Sequence, residues 1–275
     1  MLKKQTTAPE PEDDPKLPDF LHEFKNPNQS NQEFWLNAMY NMHSFLLEKK
    51  PHIKEYKRIR HLHSEIVSGM MDYYDNDKFE RKIDADYFPP EKFGNTKEER
   101  TVHILETTFD FETKVGNNAF FDMQIYKPAP NMNSITEEFI NSHRYRKPEK
   151  VEFLQSMLDS KLGLFEITAV DDHEGYAYLK EVFTGEEYKI IDIGLSGSRA
   201  FGNQYIYTRI ITYHGISFGT GLNFVFNKTD PFIQKFIKRQ KVNYSPLGEF
   251  VRFTELFNRY STDENSVKTV AHSFK

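Results

Sequence analysis

The spacing of apolar and polar residues changes twice along the chain. Between residues 30 and 74 apolar residues recur every three or four positions, which predicts two amphipathic helices. The first follows a capping-box pattern, Ser30 with Glu33, and the second begins at Pro51 and runs to about Tyr74. Because only a few residues join them, we predict an antiparallel helical hairpin. The apolar face of the first helix comprises Phe34, Trp35, Ala38, Met39, Met42, Phe45 and Leu46.

Between residues 163 and 227 short apolar runs alternate with glycine-containing turns, and the period along each run is close to two. This pattern predicts a series of short β-strands joined by tight turns. Five such strands within about 65 residues favour a small SH3-like or OB-like barrel, which is usually a binding device. The predicted strands are Leu164–Val170, Tyr176–Phe183, Glu187–Ile193, Gln204–His214 and Ile216–Phe226.

Helical spacing returns on both sides of the β-region, each time after residues that favour a helix start. These starts are the capping box of Ser134 with Glu137, then Pro148, Asp230-Pro231 and Ser245-Pro246. A β-hairpin is predicted from Val102 to Tyr126, although Val102–Leu105 could equally begin a helix. The predicted fold class is therefore α+β, with an N-terminal helical hairpin, a central barrel-like module and C-terminal helices.

The predicted domain organisation follows from these elements. Residues 1–28 are rich in proline and acidic residues, cannot bury enough apolar surface to offset their chain entropy, and are predicted to be a disordered tail. Residues 29–100 form the helical hairpin and a connection. Residues 101–260 form an α+β domain that contains the β-module of residues 163–227. Residues 261–275 are predicted to be a frayed tail.

Composition narrows the chemistry available to the chain. There is no cysteine, which excludes disulfides, thiol nucleophiles and cysteine-ligated zinc. The mild net charge of −5 gives no field over the whole protein that would favour binding of nucleic acid. The N-terminus lacks the pattern of a signal peptide, and no apolar run is long enough to cross a membrane. We therefore expect a cytoplasmic protein without a cofactor and without a membrane partner.

One part of the β-region resembles a known group of proteins. The segments Leu164-Phe165-Glu166-Ile167 and Thr184-Gly185-Glu186-Glu187-Tyr188, with Leu179 between them, are similar to a module of uncharacterised bacterial proteins. In some of those proteins the module accompanies the zinc-binding SEC-C motif. The resemblance implies a bacterial or phage-related origin and no established reaction. Because this chain has no cysteine, zinc binding does not carry over.

Strand 204–214 carries the strongest signal for nucleic-acid binding. The two-residue period places Tyr205, Tyr207, Arg209 and Tyr213 on one face, and tyrosines with an arginine on an OB-like sheet could stack on bases. The same face could instead be the core, with Arg209 at its rim. Two basic helix faces could contact phosphates, or could simply be the solvated sides of amphipathic helices. Their central residues are Lys57 and Arg58 in one helix and Lys238 and Arg239 in the other.

Two loops offer further candidates. The glycine-containing connection that holds Gly194, Gly197 and Gly202 could be a flexible link between strands or could contact a partner. The turn Asp171-Asp172-His173-Glu174 could hold a cation, but a solvated turn is the simpler interpretation. Our first hypothesis is therefore a non-catalytic interaction protein whose β-module contacts a protein partner. The second is a single-stranded nucleic-acid-binding protein, and the third is a metal-dependent hydrolase that uses Asp171, Asp172 and His173.

Overall fold

The computed structural model describes residues 30–74, 121–126, 133–142, 145–197, 201–240, 252–253 and 255–257. The predicted terminal tails and the connection at 75–100 lie outside these residues. So do residues 102–120 of the predicted hairpin and most of the helix predicted after Ser245. Within the described part of the chain, helices and one β-sheet share the structure, which confirms a mixed helix-and-sheet fold.

The helices of the described residues include α1 (Asn31–Leu47), α2 (Pro51–Tyr74), α3 (Ile135–Asn141), α4 (Pro148–Leu158), α5 (Ile193–Gly197) and α6 (Pro231–Arg239). Local signals explain several starts. The Ser134 hydroxyl accepts a hydrogen bond from the Glu137 amide, and the Glu137 carboxylate accepts one from the Ser134 amide, so the predicted capping box is confirmed. Asp230 caps α6 by accepting a hydrogen bond from the Phe232 amide, 2.8 Å away.

The strands are β1 (Lys161–Asp171), β2 (Tyr176–Glu181), β3 (Glu187–Ile191), β4 (Gln204–Tyr213) and β5 (Ile216–Asn227). They form one antiparallel sheet in the order β3-β2-β1-β4-β5. His214 and Gly215 join β4 to β5 with φ values of 49° and 78°. Two consecutive positive φ angles are typical of the tight turn that matches the twist of a hairpin. All five predicted strands are present.

The predicted barrel is not supported, because the sheet remains open. Its edge strands β3 and β5 approach each other, but the described residues show no ladder of hydrogen bonds between them. The register between β4 and β5 shifts between Thr208 and Ile210. An irregularity of this kind bends a strand and increases its twist. The module is thus an open antiparallel sheet, and the SH3-like or OB-like closure does not form.

Apolar side chains are buried on both faces of the sheet. The larger core lies between one face and the helices, and it includes Ile59, Phe153, Tyr207 and Phe218. The other face holds a smaller cluster that includes Phe165, Leu179 and Ile206. A strand buried on both faces offers neither face to a ligand. Most of β4 is buried in this way.

Two predictions, the hairpin that ends at Tyr126 and the N-terminal helical hairpin, differ from the structure. Residues 121–126 are helical, so the end of the hairpin predicted from Val102 to Tyr126 is wrong. The helical hairpin also differs from expectation, because α1 lies mainly against α5 while α2 packs against α3 and α4. The junction between α1 and α2 rests on the β1–β2 turn, where His52 Nε2 lies 2.8 Å from the Glu174 carbonyl oxygen. Within the described residues, the first helix therefore contacts mainly α5.

Candidate functional site

The aromatic face of β4 belongs to the core. Tyr207 and Tyr213 are buried, and Tyr205 is half-buried. The Tyr213 ring makes an edge contact with Phe153 at a centroid distance of 5.0 Å. Tyr207 and Tyr213 cannot stack on bases from this position, so most of this face belongs to the core. Of the proposed set, only Tyr205 reaches the surface, where Lys228 Nζ lies 5.5 Å from its ring centroid.

Arg209, also proposed as a nucleic-acid contact, is fully buried and takes part in an internal ion pair. Its Nε donates to Asp122 Oδ1 at 2.8 Å, and the second oxygen of Asp122 accepts from the Thr220 hydroxyl at 3.0 Å. The guanidinium lies 4.8 Å from the Tyr126 ring centroid and its Nη1 is 3.4 Å from Ser160 Oγ. Buried charges are normally paired in this way. Arg209 therefore fixes the helical segment 121–126 to the sheet.

The irregularity between β4 and β5 explains how Asp122 receives two hydrogen bonds. Thr208 pairs with Asn223 and Ile210 pairs with Gly219, so three residues of β5 lie opposite Arg209 alone. Thr220 is one of them, and Gly221 adopts a φ of 106°, which glycine tolerates best. The extra residues bring the Thr220 hydroxyl to the carboxylate. Sequence analysis missed Asp122 because it lay within a predicted hairpin, where an acidic residue carries no special signal.

A second buried polar pair lies beside this ion pair. His63 Nε2 and the Tyr126 hydroxyl share a hydrogen bond within the core. Burial, and secondarily the positive charge of Arg60, lowers the pKa of His63 to about 3. Burial also raises the pKa of Tyr126 well above its ordinary value. His63 is therefore neutral near pH 7 and acts as a packed polar residue.

Most of the proposed basic residues already have carboxylate partners. Lys57 Nζ lies 2.5 Å from Glu48, and Arg58 contacts both Glu55 and Glu149. At the other basic face, Arg239 pairs with Glu255, whereas Lys238 is exposed. These pairs offset the positive charge that phosphate binding would need. Three of the four proposed basic residues, Lys57, Arg58 and Arg239, therefore already take part in local ion pairs.

The glycine-containing connection is more ordered than expected. Gly194 and Gly197 belong to α5, and Gly202 lies in a single 3₁₀ turn, Phe201–Asn203. Asp192 caps α5 by accepting a hydrogen bond from the Leu195 amide at 2.9 Å, and burial raises the pKa of its carboxyl. The first two glycines are therefore part of a helix that packs against α1.

Ser196 and His43 form the contact between α5 and α1, with 3.1 Å between Oγ and Nε2. This pair resembles a nucleophile and its base, but the hydrogen bonds point the other way. The Ser196 hydroxyl donates to the Ile193 carbonyl at 3.1 Å, so it must accept from His43. Ser196 is also buried. A serine oriented in this way is not activated for attack, and the pair serves to hold α1 in place.

The acidic turn between β1 and β2 is occupied by internal contacts. Asp171 Oδ1 accepts a hydrogen bond from the Glu174 amide at 3.0 Å, and the Glu174 carboxylate pairs with Lys50. Asp172 and His173 are exposed. In the described part of the chain no group of three or more acidic or histidine side chains is arranged to hold a metal ion. The turn joins the helices to the sheet.

One surface has features that sequence analysis did not single out as a site. Four large apolar side chains of α1, namely Met39, Met42, Phe45 and Leu46, are each 60 to 65% exposed. We call these four residues the α1 face. The opposite side of α1 supplies Tyr40, His43 and Leu47 to the contacts with the rest of the protein. The helix is thus apolar on the side that faces away from the protein.

Comparison with known proteins gives a family and no function. The profile of a family of unknown function (DUF7986) matches residues 50–268. The chain belongs to this family. No curated protein and no solved structure matches the chain. The match takes in α2, the whole sheet and α6, whereas α1 with its exposed face precedes it.

The lengths of the helices bear on membrane spanning. In the part of the chain that the structure describes, no helix is both long enough and apolar enough to span a bilayer. The helix α1 itself has 17 residues. Its exposed large apolar side chains occupy one side only.

Proposed function

We propose that this protein is a non-catalytic binding protein that docks a protein partner on the α1 face. The observation that supports this is the exposure of four neighbouring large apolar side chains, Met39, Met42, Phe45 and Leu46. At roughly 100 Å² each they amount to about 400 Å² of apolar surface, the size of patch that often marks an interaction site on a monomer. The partner surface differs from our first expectation, which placed the contact on the β-module.

The way α1 is held suits a docking role. Its inner side is fixed by the His43–Ser196 hydrogen bond and by Leu47, which is buried in the main core. The α1 face is therefore presented by a helix with one defined orientation. A preorganised surface loses less conformational entropy when a partner binds. Gly194 and Gly197 of α5 remain part of this proposal as exposed neighbours of the docking helix.

The alternative proposal, single-stranded nucleic-acid binding, has support from a different surface. At β2 and β3, the exposed Lys189 has its Nζ 3.6 Å from the Tyr176 ring centroid and 5.8 Å from that of Tyr178. Exposed cations beside aromatic rings can bind unstacked bases. His52 already stacks on Tyr176 at 5.0 Å, which limits the ring surface available. A labelled oligonucleotide that shows no shift at low salt would exclude this alternative.

Photo-crosslinking tests the docking proposal directly. A benzophenone amino acid replaces Met42 in one variant and Val151 in a matched control, since Val151 is an exposed apolar residue on α4. In a lysate of the source organism, we expect the variant at position 42 to give a discrete adduct that the control does not give. Competition with excess unlabelled protein should remove it. Identical adduct patterns from the two positions, or none from position 42, would overturn the proposal.

A further inference from the structure

We infer that the partner on the α1 face is a second copy of this chain, paired helix against helix around a two-fold axis. This inference rests on the proposed docking function and names its partner. Three properties of the α1 face favour it: its lack of charge, its area, and the position of its exposed side chains along the helix. Each is a property of the same four residues, Met39, Met42, Phe45 and Leu46.

The lack of charge permits two copies to meet. The 17-residue sequence of α1 contains one formally charged residue, Glu33, six positions before the first residue of the α1 face. A symmetric contact places the same patch on both sides, so like charges within it would repel. Met39, Met42, Phe45 and Leu46 bring no such repulsion. A helix that lies on a membrane surface instead carries lysine or arginine along its polar side, and α1 carries neither.

The available area matches a weak dimer. With about 400 Å² of apolar surface on each copy, pairing would bury about 800 Å² at the centre, and the flanking polar rim would add to this. The total approaches about 1,000 Å², near the lower end for specific association. We therefore expect a reversible dimer that dissociates on dilution.

The geometry favours an antiparallel arrangement with the axis beside Met42. The α1 face extends from Met39 to Leu46, a distance of about 10 Å along a helix that rises 1.5 Å per residue. A two-fold axis at its centre places Met39 of one copy near Phe45 and Leu46 of the other. Met42 then lies close to Met42 of the partner copy. This arrangement makes position 42 the most sensitive one in the contact.

Sedimentation velocity on the full chain, from about 1 to about 200 µM, tests the pairing over the range in which interfaces of this size dissociate. We expect the wild-type chain to shift from monomer to dimer as concentration rises. Because each copy would bring an unpaired charge to the axis, Met42→Asp should weaken association at least tenfold. Val151→Asp introduces the same charge at an exposed position of α4 and should leave the dimer unchanged.

Charge exchange at the axis provides a test that a folding defect cannot imitate. Met42→Asp alone and Met42→Lys alone should both remain monomeric, whereas an equal mixture should form a mixed dimer. Failure of the mixture to associate would overturn the symmetric pairing. A wild-type chain that stays monomeric throughout the concentration range would overturn the second copy as partner.

The outcomes also separate this inference from the docking function on which it rests. If the wild-type chain is monomeric but position 42 still gives an adduct in lysate, the docking function stands and the partner is another protein. A monomer that sediments with vesicles of phosphatidylcholine and phosphatidylglycerol would overturn both. A crosslinked product of twice the chain mass in purified protein, formed at position 42 and not at 151, would support both.

Discussion

The inner face of β4 and the outer face of α1 are both rich in large apolar side chains, yet only one of them is covered. Tyr207, Arg209 and Tyr213 are buried between the sheet and the helices, whereas Met42 and Phe45 of α1 are exposed. The two elements differ in how many other elements pack against them. As an inner strand, β4 pairs with β1 and β5 and also packs against α4, while α1 contacts mainly the short helix α5.

This contrast shows that an apolar pattern indicates which side chains can be buried but does not indicate which element covers them. A strand in the interior of a sheet has hydrogen-bonded neighbours on both sides, and helices can cover its face. A helix at the edge of a fold has one side in contact and needs another element or another molecule for the rest. The polarity of a face must therefore be considered together with the position of its element in the fold.

The strongest test of the buried side is the Arg209–Asp122 pair. Asp122→Ala should lower the free energy of unfolding by about 3–5 kcal/mol, because it leaves the buried guanidinium without its charge partner. The Thr220 hydroxyl loses its acceptor in the same variant. Urea unfolding monitored by circular dichroism measures the loss. A cost below about 1 kcal/mol would show that the pair is not buried as described.

The double variant Asp122→Leu with Arg209→Met serves as the control for this prediction. Replacement of both charges by apolar groups removes the unpaired charge, so the double variant should be more stable than Asp122→Ala. If it is less stable than the single variant, the buried charge is not the cause of the loss. In that case shape, and not electrostatics, would dominate this part of the core.

Local signals in the sequence predicted the elements well and their assembly less well. The five strands follow from alternation and glycine turns, and helix α3 follows from the Ser134 capping box. The open sheet could not be deduced, since closure depends on whether β3 and β5 pair, and they are far apart in the chain. The helix at 121–126 was missed because Phe121, Ile125 and Tyr126 are aromatic or β-branched residues that also suit a strand.

The candidate site was harder to predict than the fold. The tyrosines of β4 have the composition of a binding surface, and only the three-dimensional structure shows that helices cover them. Arg209 looked like a surface residue because arginine is seldom buried. Its partner Asp122 lies 87 residues away in the chain. In contrast, the stripe on α1 has the pattern typical of a core-facing helix, so its exposure gave no signal in the sequence.

His63 offers a second test of the buried side, through pH. The pKa of His63 is lowered from 6.5 to about 3 in the folded protein, so between these values the unfolded chain binds a proton that the folded protein does not. Stability is therefore complete above about pH 6.5 and falls as the pH decreases. Between pH 7 and pH 5 this residue alone should account for a loss of about 2 kcal/mol.

The variant His63→Gln retains a side chain that can hydrogen-bond to Tyr126 and removes the titration. We expect its free energy of unfolding to change less between pH 7 and pH 5 than that of the wild type. His61→Gln, at an exposed position of the same helix, is the matched control and should keep the wild-type dependence. An equal pH dependence in His63→Gln and the wild type would show that His63 is accessible to protons in the folded state.

The smallest expected effect belongs to the α1 face. If Met42 contacts no other part of the folded monomer strongly, Met42→Asp should change the unfolding free energy of the monomer by no more than about 0.5 kcal/mol, as is usual for surface positions. Thermal and urea unfolding at low concentration, where any dimer has dissociated, measure this. A loss of about 2 kcal/mol or more would show that Met42 is part of the monomer core. The contrast between β4 and α1 would then disappear, and the docking proposal with it, because burial within the same chain would leave no surface for a partner.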